Sequence, residues 1–233
     1  MFDDFSKRAK AVRAALALAH HRKWGDIALA DIAQAAGLSL ADLRHEFSCK
    51  SDILRAFQAE VDAEVLTKSK AAPAGQNPRD RLFEVVMTRF EVLAPYKPAL
   101  KRISDYLCCH PGEGAVLACS TIASQYWMLA GAGIKLDGAA AALRVAGLTT
   151  VYAKVFQVWL NDPSPSLDKT MAALDRRLSN GERWLTSIEK TCEDLCRFAC
   201  AFVPRGWGRK DAGEMTPSAP PSGPGPSPAP GVH

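Results

Sequence analysis

With 233 residues, 48% of them hydrophobic and 23% charged, the chain can bury one or two sizeable cores and has the balance of an ordinary globular protein rather than a membrane-spanning one. Its net charge of +4 is too small to argue for nucleic acid by itself. The seven cysteines are an odd number scattered through helical stretches, which fits free buried thiols in a reducing compartment better than a disulfide framework. No apolar run reaches the length of a membrane span, and Met1-Phe-Asp-Asp lacks the apolar core of a signal peptide, so a cytoplasmic protein is expected.

From about Ser6 to Trp24 the spacing of Val12, Leu16 and Ala19 predicts an Ala/Leu-rich amphipathic helix. Gly25 and Asp26 then turn the chain. Ile32, Ala33 and Ala36 recur at helical spacing as far as Gly37, which suits the left-handed residue that closes a helix. Ser39 stands at an N-cap position with Asp42 three residues on, the acidic half of a capping box. Leu43 and Phe47 give the following helix an inward face. Two short helices joined by a glycine turn of this length form a helix-turn-helix, whose second helix fits a DNA major groove. A fourth helix, from about Lys50 to Ser69, carries Ile53, Leu54, Phe57, Val61 and Val65 and joins this head to the remainder.

These residues carry a family resemblance. Asp31-Ile-Ala, Ala36-Gly-Leu-Ser39, Leu43, Phe47, Lys50 and the pair Ile53-Leu54 resemble, in order, the DNA-binding head of the TetR regulators over about Lys7–Phe57. The resemblance implies a homodimer on double-stranded operator DNA, one Ser39–Phe47 helix in each major groove, with half-sites ~34–36 Å apart. Ser39, Leu40, Ala41, Arg44 and His45 would then face bases or backbone. Lys7, Arg8, Lys10 and Lys50 would neutralise phosphates, so that affinity falls steeply with salt. The chain also departs from the family. An aromatic, most often Tyr, usually stands at Arg44, and His or Tyr at Glu46; Arg44 replaces that contact as a cation, whereas Glu46 repels a phosphate. The Thr or Ser cap usual near Ile27 and Ala28 is missing. Residues 1–55 hold nine cations against seven anions, a net of +2 that is thin for such a head.

Ala71–Pro78, with two prolines and a glycine, reads as the domain junction. Apolar-periodic helices follow over Arg79–Leu93, Ala99–His110 after Pro95 and Pro98, Ala115–Ala132, Gly138–Leu160, and from Ser166 to Asn180. A last helix is expected over about Glu182–Val203, and the Pro/Gly/Ser-rich stretch from Gly206 reads as a disordered tail. No period-two alternation occurs. The expected fold is therefore all-α: a three-helix head in residues 1–57, a connecting helix and linker in 58–78, a helical ligand-binding and dimerisation bundle in 79–205, and a tail in 206–233.

A second resemblance lies further along. From Trp127 to Trp184 the chain has an aromatic-Met segment, a helix ending at Asn161-Asp-Pro, and Leu174-Asp-Arg-Arg-Leu178 on the next helix. This is similar to the C-terminal part of the ubiquinone-biosynthesis accessory proteins that keep the TetR fold and bind lipids. It implies a pocket for isoprenoid lipids such as quinones, and a last amphipathic helix that meets the membrane. The residues themselves are compatible with a pocket. Met87, Phe90, Tyr126, Trp127, Met128, Tyr152, Phe156 and Trp159 are large groups on three helices that a bundle brings together, either to line a pocket or to fill the core. In the last helix Trp184, Leu185, Ile188, Leu195, Phe198 and Phe202 lie opposite Glu189, Lys190, Glu193 and Asp194. A dimer interface and a bilayer both suit such a face, and its acidic middle favours the dimer.

Other chemistry finds little support. Cys192, Cys196 and Cys200 share one helical face but lack the second pair or the His of a zinc site, and Cys108-Cys109-His110 point different ways on a helix. No phosphate loop, nucleophile elbow or HExxH occurs, so no enzyme, metal or cofactor is expected. The chain reads as a DNA-binding regulator controlled by an apolar small molecule or lipid. The alternative is a lipid-binding accessory protein of ubiquinone biosynthesis with weak or no DNA binding.

Overall fold

Ser6 starts the first helix: its hydroxyl accepts the Ala9 amide at 3.2 Å. The computed structural model describes residues 6–69 and 76–180, all within one unit spanning residues 1–188. The expected last helix with its three cysteines, the tail, and most of the Ala71–Pro78 junction lie outside the described residues.

Helix α1 (Lys7–His21) buries Ala11, Val12, Ala15, Leu16 and Ala19. It ends three residues earlier than the periodicity predicts, because Trp24–Asp26 form a separate 3-10 turn that drives Trp24 into the core. Helices α2 (Leu29–Ala36) and α3 (Leu40–Glu46) are joined through Gly37, whose φ of 66° is the left-handed conformation that glycine adopts without a Cβ penalty. The cap missing at the start of α2 is partly replaced by Asp31, whose carboxylate accepts the Ala28 amide at 3.1 Å and pairs with Arg22. Helix α4 (Lys50–Lys68) is the long element that leaves the head.

The body follows as α5 (Pro78–Leu93), a 3-10 turn at Ala94–Tyr96, α6 (Lys97–Cys109), α7 (Pro111–Gly131), α8 (Gly138–Leu160), and helical backbone over residues 168–180. No strand occurs among the described residues, so the fold is all-α. Helices α6 and α7 begin earlier than expected, since Pro98 and Pro111 sit in first turns, where the missing N–H is not needed. Asp162 fixes the turn after α8. Burial pushes its carboxyl up, but hydrogen bonds from the amides and hydroxyls of Ser164 and Thr170 outweigh that and hold it well below the usual carboxylate range. No helix among the described residues is long and apolar enough to cross a membrane.

Packing ties head to body. α1 lies against α2, α3, α4 and α6, α4 runs along α5 and α7, and α7 packs on α8. Gly25 is where α6 comes closest to the head turn: a Cβ there would sit 2.9 Å from the Tyr106 ring. Large side chains such as Phe90, Ile53, Leu43 and Trp159 are fully buried, each worth ~1.5–3 kcal/mol of transfer free energy. Unpartnered polar atoms work against this core, among them the indole nitrogens of Trp24 and Trp159 and the Gln125 amide. Gln125 of α7 is fully buried, and neither end of its amide finds a hydrogen bond among the described residues. Gln125→Leu should therefore raise stability by about 1–3 kcal/mol in urea denaturation, the usual cost of such an unmade bond. A loss of stability would mean that the amide has a partner in solution.

Candidate functional site

Two places collect the side chains with chemical possibilities: the outer surface of α3, and a cavity between α4 and α8.

Helix α3 is held at its start from two directions. Ser39 Oγ accepts the Asp42 amide at 3.0 Å, and Asp42 Oδ2 accepts the Ser39 amide at 3.3 Å, which is the reciprocal capping box read from the sequence. Lys7 Nζ of α1 donates to Asp42 Oδ1 at 2.6 Å. Hydrogen bonds from Lys7 and Ser39 together lower the Asp42 carboxyl from 3.8 to about 2. Beyond the cap Leu40, Ala41, Arg44 and His45 face solvent, with Leu40 57% exposed. Leu43 and Phe47 turn into the core.

The expected phosphate cations divide into two groups. Arg8 lies over the Phe47 ring at 4.9 Å, Lys10 is exposed, and Arg44 Nη1 donates to Ser48 Oγ at 3.2 Å. These three have no carboxylate partner among the described residues. Lys7 is paired with Asp42, and the half-buried Glu46 adds its field to that lysine. Lys50 Nζ donates to the Trp24 and Ile27 carbonyls, each at 3.0 Å, and sits 5.2 Å from the Trp24 ring and 5.6 Å from the Tyr106 ring. Two of its three N–H groups are thus spent on closing the head turn.

The cavity, of about 430 Å³, lies between α4, α5, α6, α7 and α8; small-molecule sites are of order 300–1,000 Å³. Leu54, Phe57, Leu100, Ile103, Leu107 and Phe156 make much of its wall apolar. Arg89 of α5 also lines it, although only 2% exposed. Its Nη1 donates to Asp62 of α4, and its Nε donates to the Tyr152 hydroxyl of α8 at 3.1 Å. Ser124 Oγ of α7 donates to the same Asp62 oxygen at 2.6 Å. Burial disfavours the Arg89 charge, but Tyr152 and Asp62 more than offset it and raise its pKa, so it stays a cation.

The eight large residues singled out in the sequence separate accordingly. Tyr152 and Phe156 line the cavity. Phe90, Met87, Met128 and Trp159 are core: Phe90 stacks on Tyr152 with centroids 5.5 Å apart, and Met128 Sδ lies 3.9 Å from Arg89 Nη1. Tyr126 and Trp127 are outside it, 44% and 52% exposed on the far side of α7. The reason is the helical period: Ser124, Gln125, Met128 and Leu129 take the inward positions, which leaves 126 and 127 facing out. Trp127 instead borders a separate groove of about 460 Å³ with Arg8, Phe47 and Arg55. Sequence reading missed Asp62, Arg89 and the α6 wall. Arg89 does carry a signal, since it falls between Val86 and Leu93 on the inward stripe of α5.

The chain is similar to known proteins in two respects. The COQ9 family model matches residues 144–184, most of α8 and the helical stretch after it. A TetR transcriptional regulator from Nitrosomonas europaea superposes with a TM-score of 0.62 at 22% identity, over 76% of this chain and 98% of that one. A TetR-family regulator from Streptomyces coelicolor gives 0.53 at 18% identity, over 85% and 93%, and a TetR regulator from a Rhodococcus species 0.51 at 17%, over 77% and 96%. No curated protein matches the sequence. At these identities the likeness to the solved structures is one of fold: the chain has the TetR fold.

The Lys7–Asp42 tie has a pH signature. A carboxyl lowered from 3.8 to about 2 contributes stability above its unfolded value, and loses it as pH falls through the folded one. The Ser39 and Asp42 amide resonances should therefore titrate with a midpoint near 2, and Lys7→Ala should move that midpoint up toward 3.8. An unshifted midpoint in the wild-type protein would show that α1 does not hold α3.

Proposed function

We propose that this chain binds an apolar, lipid-like molecule in the cavity between α4 and α8, as a lipid-binding accessory protein on the TetR scaffold. The observation that carries this is the cavity itself: it is largely apolar, and Tyr152 and Phe156 in its wall fall within the segment matched by the COQ9 model. Isoprenoid lipids such as quinones are the ligand class implied by that resemblance. The state of the head supports the same reading. Lys7 and Lys50 are engaged by the protein's own acceptors, and Glu46 stands beside the surface that a phosphate would approach.

A ligand-responsive DNA-binding regulator is the second reading. The exposed row Leu40, Ala41, Arg44 and His45 on a helix capped from both sides favours it. So does the route from cavity to head. Ile103 and Leu107 of α6 line the cavity, while Tyr106 between them packs on Gly25 and Lys50 and donates to Glu113 at 2.9 Å. A ligand that prefers one position of α6 would bias the head by its differential affinity for the two states. In this reading the chain acts as a homodimer that spaces two α3 helices along the duplex.

Native mass spectrometry of gently extracted protein separates the two readings and gives the oligomeric state. The lipid reading expects a co-purified neutral lipid, or uptake of an added short-chain quinone; protein that is empty and ignores quinones removes its support. For the regulator, gel shifts with the chain's own upstream DNA should give an affinity that falls with salt and weakens further in Lys10→Ala/Arg44→Ala. Affinity unchanged by that double substitution at every salt would exclude α3 as the DNA-reading element.

A further inference from the structure

Arg89 and Tyr152 together hold hydrogen-bond donors that the protein leaves unused. A guanidinium has five N–H groups and a phenol one O–H. Arg89 spends Nε on the Tyr152 oxygen, and Nη1 on Asp62 beside Met128 Sδ. Its Nη2 donates to no acceptor among the described residues, and the Tyr152 hydroxyl, which accepts from Arg89, donates to none. Both residues line the cavity although Arg89 is 2% and Tyr152 6% exposed. Arg89 Nη2 is not among the fully buried atoms that lack a partner, so its acceptor comes from water or a ligand.

Most of the other polar groups in the wall are already served. Thr121 and Thr149 donate to the Leu117 and Val145 carbonyls of their own helices at 3.0 and 2.7 Å. Gln58 accepts from Ser120 and donates to Thr121, and Gln157 donates to Ser104 at 3.4 Å. The remaining wall is largely apolar. The Arg89–Tyr152 pair is therefore the polar feature that orients whatever enters.

The charge count then selects the kind of acceptor. Asp62 already balances Arg89 in place. An anionic head group would add an uncompensated charge in a desolvated site, and a cationic one would meet the guanidinium. A neutral oxygen adds neither. We infer that Arg89 Nη2 and the Tyr152 hydroxyl are the head-group site of the cavity, and that they select an apolar ligand bearing a neutral carbonyl over its hydrocarbon and carboxylate counterparts. This rests on the cavity being an apolar-ligand site, and the test separates the two claims.

The test is displacement of a cavity-bound fluorescent dye from the full chain by nonanone, nonane and nonanoate, a ketone, alkane and carboxylate of equal chain length. Nonanone should compete about tenfold or more better than either of the others, the factor that one charge-assisted hydrogen bond supplies. Tyr152→Phe, which keeps the ring stacking, should reduce that preference. The folded double variant Asp62→Leu/Arg89→Met should bring nonanone down to the level of nonane. Equal competition by nonanone and nonane, tightest competition by nonanoate, or a full ketone preference in the double variant would overturn the head-group site while the cavity stands. If none of the three displaces the dye, the apolar-ligand reading itself falls.

Discussion

Asp62 and Arg89 are opposite charges held out of water at the meeting point of four helices. Each ion loses several kcal/mol of hydration on burial, and attraction repays this only when the remaining donors and acceptors are also satisfied. Ser124 from α7 donates to Asp62 and Tyr152 from α8 accepts from Arg89, which leaves Arg89 Nη2 without a protein acceptor among the described residues. The four residues come from α4, α5, α7 and α8, so the network fixes how these helices stand relative to one another. The cavity is the space they leave open beside that network.

Helix α4 gives the pair its wider consequence. It begins at Lys50, whose ammonium closes the Trp24–Ile27 turn of the head, and one turn past its middle it presents Asp62 to the body. Leu54, Phe57 and Val61 between those points are wall residues of the cavity. One helix is thus the last element of the head and a side of the cavity. Helix α6 makes a second connection through Tyr106 and Gly25. An occupant of the cavity cannot move either helix without loading the head.

The head was legible in the sequence because its signals are local. Gly37, Ser39 and Asp42 declare a left-handed stop and a capping box, and both form as read. The all-α bundle followed from periodicity, and the prolines misled only where they sit harmlessly in first turns. The site was less legible, because it depends on contacts between distant segments. Lys50 looks like a phosphate ligand in sequence, and only the fold brings the Trp24 and Ile27 carbonyls to it. Tyr126 and Trp127 look like pocket residues beside Met128, yet a 100° step per residue carries them to the opposite side of α7. Asp62 and Arg89 have no place in the sequence reading, since composition cannot tell a solvated charge from a paired one.

A double-mutant cycle on Asp62 and Arg89, followed by urea denaturation, tests the organising role of the pair most directly. The account predicts that Asp62→Leu and Arg89→Met each lose about 3–5 kcal/mol, the cost of stranding one buried charge, and that the double variant recovers most of it. Losses that simply add, or single variants as stable as the wild type, would mean that the four helices take their arrangement from apolar packing alone.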